Sequence, residues 1–535
     1  MKTTDRSKKI YDSNIDCCTS LKSTLSSSIG PFGLDKLLIT PSNKIVVTND
    51  GSTILKNLSS FHPITKILNN VSMTQDKVAG DGTTSVVILT AQILENAKEL
   101  MDENVHASAI IRELGRIKQI VLEYFERSKI RVENFASAVR TSLSSKVVSA
   151  AMDELVPLAL KATQYEKLKV VKKLGDEIEN CTVVDGYCVK IKSDEKNSEV
   201  VDEYAIEQLS TALQKKYRVA LLQYNLSAPK PNIDSKIEIE EKIEEIIKEE
   251  REYVFNLVKK LKMNRVEIAL VQKSILKESV SDLAEYFLNK LKIKFFVLER
   301  EEIEEISRVF EMRTSSTNNI ITYDMNVSFY DDIILLNETE TRVEKTCNGE
   351  NETNVNEKVP VAEKEGRKSE VSGAEGVTKG DASANNHGEK RRKAEKRVGS
   401  LIVRASDNIL LDETERSLND AICVARCLKD EPYIVPGGGN VEMNISRLHE
   451  NEIQKRIMSA FVIIPYFICR NAGLNFYKIG QVADNSGIDC VSGSVENMIE
   501  KNIVMPVKVA KSYFGLALET ASFILSIDDI LPSSQ

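Results

Sequence analysis

The sequence predicts a multidomain protein that joins mainly helical parts to an α/β part. Three observations predict it. A chain of 535 residues exceeds the ~250 to 300 residues at which a single hydrophobic core stops growing. Both ends carry apolar residues at helical spacing, whereas the middle alternates short β-rich runs with helical ones, an order that fits some parallel strand pairing. Hydrophobic residues at 42% and charged residues at 28% are ordinary for a folded protein and too apolar for a mainly disordered one.

The first segment runs from Met1 to about Arg140. Ile29-Gly30-Pro31-Phe32-Gly33 interrupts a helix-like stretch, so a turn or close backbone approach is expected there. Lys44 to Thr48 reads as a strand that runs into the turn Asn49-Asp50-Gly51. Ser52-Thr53-Ile54-Leu55 then opens a helix, with the hydroxyls available as caps. Gly80-Asp81-Gly82-Thr83-Thr84 directly precedes a buried helix over Ser85 to Leu100. A smaller unit, Thr141 to Glu203, has strand material at Leu168–Val171 and Cys181–Val184 around the turn Leu174-Gly175-Asp176.

Beyond it come a strand at Arg218–Leu222, the proline loop Ala228-Pro229-Lys230-Pro231 and a charged helix over Glu240–Lys262. A strand at Val266–Val271, a helix at Asp282–Lys290 and a strand at Lys294–Leu298 follow. From Gly349 to Lys396 no aromatic and few large aliphatic residues occur, a composition that cannot offset the entropy of ordering, so a disordered insertion is expected. Its end, the basic cluster Lys390 to Arg397, reads as a solvated loop balanced by glutamates, or as a surface for an acidic partner. Order resumes at Leu401–Arg404, with a helix over Asp412–Leu428 and the loop Pro436-Gly437-Gly438-Gly439-Asn440. Helical pattern then extends through Asn502, and the last helix reaches Ser526.

A net charge of -8 argues against a surface devoted to nucleic acid. The nine cysteines are odd in number and scattered, and with no secretory segment at the start they read as reduced cytosolic thiols. Cys423 and Cys427 can share a helical face, but none of the four histidines completes a ligand set nearby. No apolar run approaches the ~18 residues of a membrane helix.

The two acidic turns carry the chemistry. Triphosphate hydrolysis needs amides or hydroxyls around phosphate oxygens, a carboxylate for magnesium and another that orients water. Gly80 to Thr84 supplies glycines, the carboxylate of Asp81 and two hydroxyls at a helix start, where unpaired amides can bind phosphate. A capped turn explains that loop when it is taken alone. Asn49 to Thr53 repeats the pattern of acid, glycine and hydroxyls, and Gly30 and Gly33 allow backbone approach. Asp420 is a third candidate, either a solvated helix acid or a catalytic one, and Gly437–Gly439 is a contact loop or a linker. No P-loop with a Lys-Ser/Thr ending is present.

Gly30 to Lys36, Thr48 to Leu55, Gly80 to Thr84, Glu415 to Ala421, Gly437 to Glu442 and Asn471 to Asn475 together resemble the group II chaperonins. Their order and spacing carry the resemblance, which covers all but the low-complexity insertion. A narrower likeness to one subunit type of the eukaryotic cytosolic branch rests on Thr141–Val148, Val170–Gly175, Leu226–Lys230 and Val271–Leu276.

The resemblance implies the group II chaperonin fold. Its equatorial domain would comprise 1–140 and 438–535, its small α/β intermediate domain 141–203 and 401–437, and its α/β apical domain 204–400 with a helical protrusion from about Ala228 to Lys262. It implies an ATPase coupled to protein folding in the cytoplasm, with ATP and Mg2+ as cofactors. Seven homologous subunits would complete each of two stacked rings, with unfolded polypeptide clients such as actin and tubulin, folding co-chaperones, no membrane and no nucleic acid. Asp81 matches the magnesium ligand, and Asp50 and Asp420 match acids that position or activate water. Gly30, Gly82, Thr83 and Thr84 match phosphate-contact loops and Gly438 and Gly439 a loop beside the nucleotide; Pro31, Gly51, Gly80 and Asp489 complete the nucleotide-binding set. Asp420 would swing in on the intermediate domain, making hydrolysis depend on closure. The alternative is a ring subunit that binds ATP, hydrolyses it weakly and acts mainly through structure or client binding. The sequence departs from the family pattern at Asn419, Ala405, Gly175-Asp176 and Arg470 and keeps all three acids.

Overall fold

Between Val86 and Leu94 nearly every side chain is apolar, too many for one face, so the helix Thr83–Asp102 must be buried on all sides. The computed structural model describes residues 5–40, 42–58, 62–191, 215–228, 239–274, 278–317, 319–330, 333–338, 396–478 and 485–530. In it Val86, Val87, Ile88 and Leu89 are fully buried, and the helices Asp5–Leu25, Pro63–Ala79 and Val507–Leu525 pack around them. Phe514 of the last helix meets Phe125 and Phe461 at ring separations of 5.9 and 5.1 Å, contacts worth about 0.5–1.5 kcal/mol each beyond area burial. The two ends of the chain therefore share one core.

The chain divides into two compact units, one comprising Met1–Gln164, Val170–Val183 and Leu401–Gln535, the other Tyr165–Lys169 and Val184–Ser400. In the first, the helix Asn408–Asp430 packs against Ala136–Leu143, Met152–Ala162 and Pro63–Ala79. Val424, Ala425 and Leu428 form its fully buried stripe.

The second unit is built on a six-stranded sheet ordered Tyr187–Lys190, Ile333–Glu338, Tyr323–Tyr330, Lys215–Leu222, Ile268–Gln272 and Lys294–Leu298. The other pairings are antiparallel; only the last three strands pair in parallel with their neighbours among themselves. Their continuous apolar runs follow from burial on both faces. Val219, Leu221, Ile268 and Leu270 enter one core, while Ala220, Leu222, Ala269 and Val271 enter the other.

The helix Asp282–Lys290 and strand Lys294–Leu298 lie where periodicity places them, and the Leu168–Val171 strand extends to Tyr165–Leu174. The helical pattern expected through Asn502 is broken by a hairpin, Ser486–Asp489 with Ser494–Asn497. Four-residue strands are too short to register a period of two, and Gly493 (φ 71) turns the chain between them. The strands Tyr323–Tyr330 and Ile333–Glu338 escaped the sequence reading as well. Pro229 to Pro231, the insertion through residue 395 and most of the basic cluster 390–397 lie outside the described residues.

Candidate functional site

Asp50 follows the short strand Ile45–Thr48 by two residues and caps the helix Gly51–Asn57. The cap is this carboxylate, not the hydroxyls expected from sequence. It accepts from Ser52 N at 3.2 Å, Thr53 N at 2.9 Å, Ser52 Oγ at 2.8 Å and Thr83 Oγ1 at 2.8 Å. Burial alone would raise its carboxyl, but Lys146 and the donors from Thr53 and Ser52 outweigh burial and hold it below the ordinary range.

The second acidic turn joins two long helices. Gly80 (φ 67) caps the end of Pro63–Ala79 and Gly82 (φ 78) starts Thr83–Asp102. Both are left-handed, a conformation that glycine adopts without strain. Asp81 between them accepts from Gly82 N at 2.7 Å, and burial pushes its carboxyl up against the opposing pull of Lys146. The two turns touch directly, since a Cβ on Gly51 would stand 2.6 Å from Thr84 Oγ1.

Ser28, Ile29, Gly30, Asn49, Asp50, Gly80, Asp81, Gly82, Thr83, Thr84, Ser85, Ser145, Lys146 and Asp420 line one pocket. Asp420 reaches it from the middle of Asn408–Asp430 and forms a buried ion pair with Lys146. Burial pushes the Asp420 carboxyl up to about 8 although Lys146 pulls it down, and nearby Asp50 adds to the rise. Burial disfavours the charge on Lys146, but Asp420, Asp50 and Asp81 together raise its proton affinity, so it remains a cation. The Asn49 side chain donates to the Ser145 carbonyl, fixing the first acidic turn to the segment that carries Lys146. Lys146 is the charged pocket-lining residue that the sequence reading missed: it lies in Thr141–Val148, which served only as a subunit-type likeness, and nothing local marks it as a counter-charge.

Of the remaining candidates, Pro31 and Gly51 neighbour the pocket in sequence without lining it. Gly438, Gly439 and Asp489 belong to another cluster. There Ile488 N donates to the Gly438 carbonyl at 2.9 Å, and Asn440 Nδ2 donates to the Ser486 carbonyl at 2.5 Å. Asp489 is buried, accepts from Val491 N at 2.9 Å and faces Lys501 at 3.6 Å. Asn471 links the chain's late part to the Gly30 turn by donating to the carbonyls of Ser26 and Ile29, each at 2.9 Å.

These donors are suited to a magnesium nucleotide. Asp81 offers a hard, half-buried carboxylate oxygen of the kind Mg2+ takes singly or in pairs alongside phosphate oxygens. Beside it the start of a 20-residue helix bears no side-chain cap, leaving amides free for an anion. The arrangement can hold phosphates, place one divalent ion and present two carboxylates of unlike proton affinity. Cys423 and Cys427 share the helix of Asp420, and among the described residues no group of three or more His, Cys, Asp or Glu is placed to hold a metal by itself.

A sequence profile of the TCP-1/cpn60 chaperonin family matches residues 21–535. The chain is 35% identical to "T-complex protein 1 subunit delta" of Encephalitozoon cuniculi over 99% of both chains. It is 31% identical to the Saccharomyces cerevisiae protein of that name and 32% identical to that of Candida glabrata, each over 99% of this chain and 97% of the relative. Delta is also the subunit type that the middle segments resemble, with alpha second.

Proposed function

The chain belongs to the TCP-1/cpn60 chaperonin family, and from that premise we propose that it is one subunit of a hetero-oligomeric CCT (TRiC) chaperonin, hydrolysing ATP in the Asp50–Asp81–Asp420 pocket to fold other polypeptides. The observation that supports it most is the meeting of three carboxylates and one lysine, drawn from four separate stretches of chain, on an uncapped helix start.

In this reading the amides of Thr83 and Thr84 and the Thr84 hydroxyl hold phosphate oxygens at the helix start that Gly82 opens, Lys146 supplies the neighbouring positive charge, and Asp81 would hold magnesium. Held there, Mg2+ would supply positive charge against the phosphate oxygens. Water attacks the terminal phosphorus as the bond to the ADP oxygen breaks. Asp420, whose proton affinity burial has raised, is suited to take the water's proton. Asp50, fixed by four donors, stays anionic and orients Thr83. The Gly438–Gly439 loop and Asp489 serve the nucleoside side.

Asp420 lies in the span read as the intermediate domain, and on this reading movement of its helix would make hydrolysis depend on closure. Seven homologous subunits complete each of two cytoplasmic rings, and unfolded chains are enclosed when the apical parts close. Among the described residues no helix is long and apolar enough to cross a membrane. The test is a ring carrying Asp420→Ala in this subunit only, compared with the unaltered ring for hydrolysis and closure. A lowered rate with nucleotide still bound supports the reading. Unchanged hydrolysis and closure favour the alternative, a subunit acting mainly through structure, and the Lys146 contact on Asp420 is the observation on its side.

A further inference from the structure

Asp81 is flanked by two left-handed glycines, Gly80 (φ 67) and Gly82 (φ 78), so little in the loop's own covalent structure prevents its peptide planes from turning. What holds the loop lies behind it. Gln75, completely buried on Pro63–Ala79, donates from Nε2 to the Asp81 carbonyl at 2.7 Å. Its Oε1 accepts from Ser512 Oγ of Val507–Leu525 at 2.6 Å. The carboxamide has one workable orientation, because a flip would set two oxygens against each other at Asp81.

The peptide between Asp81 and Gly82 is planar and trans, so its C=O and N–H point in opposite directions. Gln75 grips the carbonyl side. On the other side Gly82 N donates to Asp81 Oδ1 at 2.7 Å. Fixing the carbonyl therefore fixes the amide that aims the carboxylate. Tyr513 closes the same wall: its Cδ1 stands 3.4 Å from where a Cβ on Gly82 would lie, and Gln75 Nε2 stands 3.2 Å from that point. Tyr513 is itself anchored by donating to the buried Glu442 Oε1 at 2.5 Å.

We propose that Gln75, held by Ser512, is a positioning residue that aims the Asp81 carboxylate at the metal of a bound magnesium nucleotide. The proposal rests on the pocket being that site, and it gives the helix Val507–Leu525 a part in metal binding through Ser512. Partners of this kind, one bond removed from a metal ligand, commonly change metal affinity about 10- to 100-fold when removed.

The test uses the full-length chain and a fluorescent ATP analogue, with Mg2+ titrated and binding read as anisotropy. Gln75→Glu replaces the donor with an oxygen facing the Asp81 carbonyl, and the Mg2+ concentration for half-saturation should rise about tenfold. Ser512→Ala, a milder change that keeps Gln75, should shift it in the same direction by less, and Ser512→Thr, which restores a hydroxyl, should return it to the starting value. A packing role alone would lower the melting temperature and leave Mg2+ half-saturation unmoved in both Gln75→Glu and Ser512→Ala; that result overturns the proposal while leaving the site intact. Absence of Mg2+-dependent binding in the unaltered chain overturns the site and the proposal together.

Discussion

Lys146 and Asp420, 274 positions apart in sequence, form an ion pair whose side chains are only 9% and 14% exposed. Lys146 is the one cation among the residues lining the pocket, and it faces Asp50 and Asp81 as well. Its charge offsets that of the three carboxylates gathered at an uncapped helix start. Their mutual repulsion and burial would otherwise drive the site apart.

Lys146→Met should therefore cost more than a surface charge. Removing one partner of a buried pair leaves the other uncompensated, at about 3–5 kcal/mol. The thermal midpoint of Lys146→Met should fall clearly below that of the unaltered chain. Lys146→Met combined with Asp420→Asn should lose less than the two single changes added together, because the second removes the carboxyl that the first leaves buried without its partner. Strict additivity in calorimetry would show that the two do not interact.

The Asp420 carboxyl gives the pair a pH signature. Its proton affinity in the folded chain is pushed up to about 8, whereas an unfolded Asp titrates near about 3.9. Between those values the folded state holds a proton that the unfolded state has lost, so this group contributes less to stability as pH rises from about 4 to 8. Lys146 has the same sign in another window: its folded value is also raised, so its contribution stays constant across this range and is lost only at alkaline pH. Melting temperatures from pH 5 to 8 should thus fall more steeply in the unaltered chain than in Asp420→Asn. Parallel curves would remove Asp420 as the source.

Structure and chemistry can be separated at Asp50. The carboxylate caps a helix through the amides of Ser52 and Thr53, a role that serine performs about as well as aspartate, while alanine costs roughly 1 kcal/mol. Asp50→Ser should retain most of the stability that Asp50→Ala loses, and both should be deficient in hydrolysis because neither restores the anion beside Thr83. Hydrolysis recovered by Asp50→Ser would reduce Asp50 to a cap.

Much of this site was legible because its parts are local. Acid, glycine and hydroxyls fall within five residues at Asn49–Thr53 and again at Gly80–Thr84, and each cluster needs only its own turn to place its donors. Asp420 was legible from the apolar stripe of its helix, which buries the face beside it. Lys146 and Gln75 were not, because each gains its meaning from partners far away in sequence, Asp420 for one and Ser512 for the other. Alternation of strands and helices exposed the parallel half of the sheet. The antiparallel strands Tyr323–Tyr330 and Ile333–Glu338 gave no such rhythm, since no helix separates them.

Two glycines offer a paired test of how closely the acidic turns are packed. A Cβ on Gly51 would lie 2.6 Å from Thr84 Oγ1 and 2.8 Å from the Thr84 backbone N and Cα. The threonine side chain can rotate, but its backbone starts the helix Thr83–Asp102, whose neighbours leave it no room to retreat. Gly51→Ala should therefore separate the turns at a cost of about 1–3 kcal/mol, as overpacked cores do, and weaken nucleotide binding at the same time. Gly115 lies within the helix Ala107–Ser128 with nothing within 4 Å of its would-be Cβ. Gly115→Ala should stabilise by up to about 1 kcal/mol through helix propensity alone and leave binding untouched. Melting curves with a nucleotide titration on each variant give the comparison: opposite signs in stability, with a binding loss confined to Gly51→Ala, are expected if contact between the turns holds the phosphate loop in place.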